Sequence, residues 1–143
     1  MKSLNYFPPT KVEVKSSPGK GLGVFATHVI EPDEIIEVTL LLTIPDLDIT
    51  GKRILDDYVF VYPRGNKSTE TVVVLGYGSI YNHSDTPNAT WANHPSEKAF
   101  NFTSIKKILP GEEICTYYGD QEYWNSREST PDSMKTNNTK TML

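Results

Sequence analysis

Apolar residues in this chain come in short runs fenced by Gly, Pro, Asn and Asp, and that punctuation confines it to strands and turns. Lys11-Val12-Glu13-Val14-Lys15 alternates polar and apolar, as a half-buried strand does. Ser16–Gly21 is a turn cluster, after which Gly23–Val29 resumes an extended pattern. Asp33–Val38 and Leu40–Ile44 read as two more strands, the second almost wholly apolar and so expected to be buried on both faces. Asp57–Tyr62 and Thr69–Leu75 predict a hairpin joined by Pro63-Arg64-Gly65-Asn66-Lys67. Lys98–Thr103 and Glu112–Tyr118 complete the set, and only Asp46–Leu55 reads as a short helix. The expected class is mainly β, built of short strands and small sheets.

One pattern occurs twice. Ile30-Glu31-Pro32-Asp33-Glu34-Ile35-Ile36 and Ile108-Leu109-Pro110-Gly111-Glu112-Glu113-Ile114 both read I-x-P-[DG]-E-x-I. Proline presets φ at the first central turn position, and Gly or Asp tolerates the second, so each copy predicts a tight turn that launches a strand.

At 143 residues the chain is most simply one domain with a core of its own. Cys115 is the single cysteine and the histidines are His28, His83 and His94, which excludes a disulfide scaffold and a cysteine-rich zinc site. No metal site is expected. No apolar run approaches the roughly 20 residues of a membrane span, and the N-terminal MKSLNYFPPT lacks the apolar region of a secretory signal. A net charge of −4 argues against the basic surface of a nucleic-acid binder and is compatible with a basic peptide partner. Residues 1–10 read as an N-terminal extension and 11–128 as the folded unit; Ser129–Leu143, rich in Thr, Asn, Ser and Lys, reads as a disordered tail.

Three segments carry candidate chemistry. Gly19-Lys20-Gly21-Leu22-Gly23 allows a sharp turn and close approach of a ligand, but it lacks the spacing of a dinucleotide-binding loop and no long helix follows it. Tyr81-Asn82-His83-Ser84-Asp85-Thr86-Pro87-Asn88 reads by itself as an Asx-rich surface turn. Asn82 also begins a glycosylation sequon, as do Asn66, Asn88, Asn101 and Asn137, which leaves a secreted β-rich glycoprotein as a competing reading. Tyr117-Tyr118-Gly119-Asp120 ends the last strand, where paired tyrosines most often pack with their hydroxyls at the rim.

Together, and in this order, Gly21–Ala26, Tyr81–Ser84 and Glu112–Asp120 resemble the three signature segments of SET-domain protein lysine methyltransferases. The likeness runs from about Val12 to Trp124. It implies the SET (β-clip) fold, with a knot-like C-terminal segment passing under a preceding loop and little helix. It also implies S-adenosylmethionine as cofactor, with transfer of its methyl group to the ε-amine of lysine in a basic protein tail, a histone tail above all, and hence a nuclear location. A catalytically silent module binding peptide or cofactor, and an enzyme for a non-histone protein, are the alternatives.

Carried over position by position, the resemblance puts Lys20, Gly21, Leu22, Gly23, Tyr58, Asn82, His83, Tyr118 and Trp124 against the cofactor. It puts Tyr118, Tyr58 and Tyr123 at the reacting centre. The chain departs from the pattern twice. Leu22 stands where some small relatives carry an aromatic residue, and Gln121-Glu122 fills a gap that they close with one residue. Many relatives complete the lysine channel with a cysteine-rich zinc segment. This chain resembles the small free-standing viral and microbial members without one, in which Tyr123-Trp124 and a second protomer would close the site.

Overall fold

The computed structural model describes residues 8–45, 58–65, 67 and 69–119. The expected helix over Asp46–Leu55, the tail from Ser129, and Tyr123 and Trp124 lie outside the described residues. Those described form nine strands and no helix: β1 (Val12–Ser17), β2 (Gly21–Ala26), β3 (Ile35–Ile44), β4 (Val59–Tyr62), β5 (Glu70–Val74), β6 (Asn82–His83), β7 (Ala89–Asn93), β8 (Ala99–Ser104) and β9 (Glu113–Thr116). They build a four-stranded sheet in the order β1-β2-β9-β6 and a five-stranded sheet in the order β4-β5-β3-β8-β7. The pairing is antiparallel except between β6 and β9. Val24 and Ile114 of the first sheet join Ile36, Val72, Val74, Phe100 and Phe102 of the second, with Ile30, Tyr81 and Ile108, in one buried apolar cluster.

The two copies of the repeated pattern are partners. Ile30 and Ile108 exchange both backbone hydrogen bonds at 2.9 Å, and both are buried. Each copy then makes the same turn: Glu34 N–H donates to Glu31 O at 3.2 Å, and Glu112 N–H donates to Leu109 O at 3.1 Å. The third turn residue is left-handed in both, Asp33 at φ 63° and Gly111 at φ 89°. Each turn closes on the strand next to the one it launches. Asp33 N–H donates to Ser104 O and Gly111 N–H donates to Ala26 O. In return, Ser104 N–H donates to Glu34 O and Ala26 N–H to Glu112 O. The arrangement is a local twofold that relates residue 26 to 104, 30 to 108 and 33 to 111. Through it the first turn sends β3 along β8, and the second sends β9 along β2.

Most strand expectations hold, with three differences. Asp33–Val38 and Leu40–Ile44 are one ten-residue strand, and its burial is the reverse of that expected. Ile36, Glu37, Val38 and Thr39 are buried, while Leu42 is 58% exposed. The buried stretch pairs with β8, whose register ends at Leu40–Ala99, and from Leu41 to Ile44 β3 pairs with β5 of the outer hairpin. The other two differences are β6 and β7, which were not anticipated. β6 is two residues long and exists only through its pairing with distant β9, and β7 is recruited by β8.

Candidate active site

The site is assembled where the end of β2, the short β6 and the end of β9 come together. Glu113 and Phe25 are register partners in β9 and β2, and Asn82 and His83 lie beside Cys115 and Thr116. Asn88 locks this junction. Its Nδ2 donates to Glu113 O at 2.8 Å, and its Oδ1 accepts the Cys115 N–H at 2.8 Å. A side-chain amide thus takes the place of a strand partner, which satisfies β9 backbone groups that a two-residue neighbour cannot reach.

Within that frame Asn82 Nδ2 donates to Leu22 O at 2.9 Å and to Glu113 Oε1 at 2.7 Å. The other carboxylate oxygen, Glu113 Oε2, accepts from Ser17 Oγ at 3.1 Å. His83 holds Tyr118: its Nδ1 accepts the Tyr118 N–H at 3.0 Å, so the neutral ring carries its proton on Nε2, which faces Asp85 Oδ1 at 2.9 Å. The rings of Tyr117 and Tyr118 lie 5.2 and 5.6 Å from the imidazole. The Tyr118 hydroxyl donates to the carbonyl of Tyr81, whose own ring is buried against Phe102. Lys20 Nζ reaches His83 O at 3.4 Å. Tyr118 is therefore fixed at both ends, by its backbone N–H and by its hydroxyl.

Two nearby groups are shifted by burial. Glu37, fully buried, is pushed up to about 7 because water is excluded from its carboxyl; hydrogen bonding from the Tyr81 hydroxyl and the Tyr77 N–H opposes this. The Cys115 thiol is raised, first by burial and then by the charge of Glu113, while Lys20 opposes the rise. No group of His, Cys, Asp and Glu among the described residues is placed to hold a metal ion.

The structure thus brings together Lys20, Leu22, Asn82, His83 and Tyr118, joined by hydrogen bonds, with Gly21 and Gly23 in the same loop. Tyr58 is not joined to them among the described residues. It precedes the β4–β5 hairpin, is half exposed, and is tied by its carbonyl to Ser79 Oγ at 3.2 Å. Sequence reasoning missed Ser17, Tyr81, Asn88 and Glu113. For Tyr81, Asn88 and Glu113 the signal was adjacency, since they sit within the segments already singled out; for Ser17 no local signal marks a partner so far along the chain.

This fold and site define the class. The SET domain family profile matches residues 21–119, and the chain belongs to that family. A curated relative, the histone-lysine N-methyltransferase of Schizosaccharomyces pombe described as specific for H3 lysine-37, is 26% identical over 129 residues; the match spans 88% of this chain and 85% of that one. A crystal structure from Plasmodium falciparum, of a protein assigned as a histone methyltransferase, superposes with a TM-score of 0.64 at 32% identity and covers 77% of this chain and 94% of that one. The chain is a protein lysine N-methyltransferase with S-adenosylmethionine as methyl donor. The residues present suit that donor. Asn82 bonds to Leu22, and Lys20 reaches His83, which in turn holds Tyr118, so polar groups converge beside the glycine loop.

Proposed function

We propose that this chain methylates a lysine of a histone tail, with residues 11–128 as the catalytic unit, Lys20, Gly21, Leu22, Gly23, Tyr58, Asn82, His83, Tyr118 and Trp124 against the cofactor, and Tyr118, Tyr58 and Tyr123 at the reacting centre. The double anchoring of Tyr118 carries the reading, because a tyrosine held by its backbone N–H and by its hydroxyl suits orientation of an amine rather than packing. S-Adenosylmethionine supplies an electrophilic methyl group on a sulfonium. The chain must then present a neutral amine in line with it. Free lysine has a pKa near ~10.4, so an aromatic channel that excludes water favours the uncharged form. Tyrosine faces attract the incoming ammonium before it loses its proton. Tyrosine stays protonated near neutrality, so Tyr118 orients rather than abstracts.

The histone assignment is supported by the descriptions of both relatives and by the net charge of −4, which suits a basic tail. With that substrate the enzyme works in the nucleus, and Tyr123, Trp124 and a second protomer close the channel. The test is transfer from labelled S-adenosylmethionine to core histones and tail peptides by wild type and Tyr118→Phe. Transfer that falls by roughly 100-fold or more in the variant supports the assignment. Undiminished transfer in Tyr118→Phe would show that Tyr118 is misplaced, and methylation confined to non-histone proteins would replace the histone by another basic substrate.

A further inference from the structure

The amide of Asn82 has only one orientation that its surroundings accept. Leu22 O and the Glu113 carboxylate accept hydrogen bonds and cannot donate them, and they sit 2.9 and 2.7 Å from one amide atom. That atom must be Nδ2, and both of its hydrogens are then engaged. Oδ1 is the atom left to face a ligand, and it can only accept. Rotation of the amide by a half turn would set Oδ1 against two acceptors, one of them charged.

Glu113 enforces this orientation more than Leu22 does, because its bond is the shorter one and is charge-assisted. Its own position is determined from two sides. Ser17 Oγ donates to Oε2 at 3.1 Å, and the absence of a side chain at Gly23 makes room for Oε1: a Cβ there would lie 2.5 Å from that oxygen and 3.0 Å from Ser17 Cβ. Gly23, read from sequence as part of a ligand-binding loop, thus also houses a carboxylate that reaches across from β9.

We propose that Glu113 is a positioning residue for S-adenosylmethionine: by holding the Asn82 amide in one orientation, it presents Oδ1 as an acceptor to the cofactor's α-ammonium group. Glu113 itself does not touch the ligand. The cofactor has several hydrogen-bond donors, and of these the ammonium gains most from an oriented acceptor that has no competing hydrogens. Glu113 opens β9, the strand that leads into Tyr118, so that strand also sets the grip on the cofactor head. The proposal rests on the placement of Asn82 in the cofactor site.

The experiment is calorimetric binding of S-adenosylhomocysteine and of its analogue in which hydrogen replaces the α-amino group. It uses the full chain as wild type, Asn82→Ala, Glu113→Ala, Glu113→Gln and Gly23→Ala, each checked for retained β structure by circular dichroism. Glu113→Ala is expected to weaken S-adenosylhomocysteine about tenfold and the analogue less than about twofold. Glu113→Gln keeps an acceptor for Asn82 and is expected to restore most of the loss. Gly23→Ala, which displaces the carboxylate without removing it, is expected to reproduce the amino-selective defect. Equal weakening of both ligands by Glu113→Ala would reduce Glu113 to a structural role and overturn the proposal. Loss of affinity in Asn82→Ala with none in Glu113→Ala would overturn the positioning role alone, and full affinity in Asn82→Ala would overturn the placement of Asn82 itself.

Discussion

The turn at Glu31–Glu34 and the turn at Leu109–Glu112 have the same geometry and opposite purposes. Both return the chain by a proline followed by a left-handed residue, both give their fourth-residue carboxylate to the first residue's N–H, and both hang on the Ile30–Ile108 pair. The first launches β3 into the core and the second launches β9 into the active site. The first also carries more ties. Glu34 pairs with Lys11, and the buried Ser104 hydroxyl binds that turn, whereas its counterpart in the other half is Ala26. Asp33 holds a backbone conformation that costs a side-chain-bearing residue free energy, and those ties offset it. The second turn uses glycine and needs no such support. One local solution thus serves a rigid strand and a functional one, and the difference is made by what each strand carries.

The contents of the two strands predict the largest effect. Glu37 on β3 is buried with a carboxyl raised to about 7 from 4.5, so the folded state keeps its proton where the unfolded chain has lost it. Stability from this group is fully present below pH 4.5 and declines as pH rises toward 7, by about 3 kcal/mol in all. Urea melts from pH 5 to 8 should show that slope in wild type and a flatter profile in Glu37→Gln. Cys115, buried on β9, serves as the comparison, and Cys115→Ala should leave the slope unchanged. A wild-type profile already flat across that range would remove the contrast.

Next comes the left-handed residue. Gly111→Ala is expected to cost about 1–2 kcal/mol in denaturant midpoint, since φ 89° admits a side chain poorly. Asp33→Gly should change stability by less than about 1 kcal/mol, because aspartate already tolerates φ 63°. A larger penalty at Asp33 than at Gly111 would mean that the Asp33 side chain does more than occupy the turn. Gly111→Ala should also weaken cofactor binding at temperatures where the protein stays folded, and Asp33→Gly should not.

The smallest effect concerns the two turn glutamates. Glu34 is held below the usual carboxylate range, first by the hydrogen bond from Lys11 and then by the Glu31 N–H. Its contribution is therefore present above the unfolded carboxylate's pKa and is lost as pH falls through the lowered one. Glu34→Gln is expected to lose under about 1 kcal/mol at pH 7, since the pair is partly solvated. Glu112→Gln, whose carboxylate holds the Leu109 N–H with no ion pair among the described residues, should lose less still. Thermal melts of the two variants side by side measure the difference.

Much of this was legible from local rules. The turns announced themselves through Pro-Asp and Pro-Gly, and the β4–β5 hairpin through two β-rich runs around Pro63–Gly65. The repeated pattern even marked two equivalent corners, although nothing local showed that they meet. What failed did so where a residue's state is set by distant neighbours. Leu42 is apolar and exposed in the half of β3 that β8 does not reach, and Glu37 is charged by type yet buried in the half that β8 pairs. β6 has too few residues to carry a pattern at all. In the candidate site, Asn82, His83 and Tyr118 stood out through their segments, whereas Glu113, Ser17 and Asn88 have roles only once β2, β6 and β9 lie side by side.

The order of amino acids by itself determined the strand-and-turn character, the corners, the exclusion of disulfide and cysteine-zinc scaffolds, and the family whose signature segments the chain carries. These depend on steric preference, periodicity and residue type, which act over a few positions. Tertiary structure alone decided which corners pair, which half of β3 is buried, which way the Asn82 amide points, and that Tyr118 is held at both ends. Those outcomes depend on hydrogen bonds between residues up to 96 positions apart, as between Ser17 and Glu113, and local sequence cannot express a partner so distant.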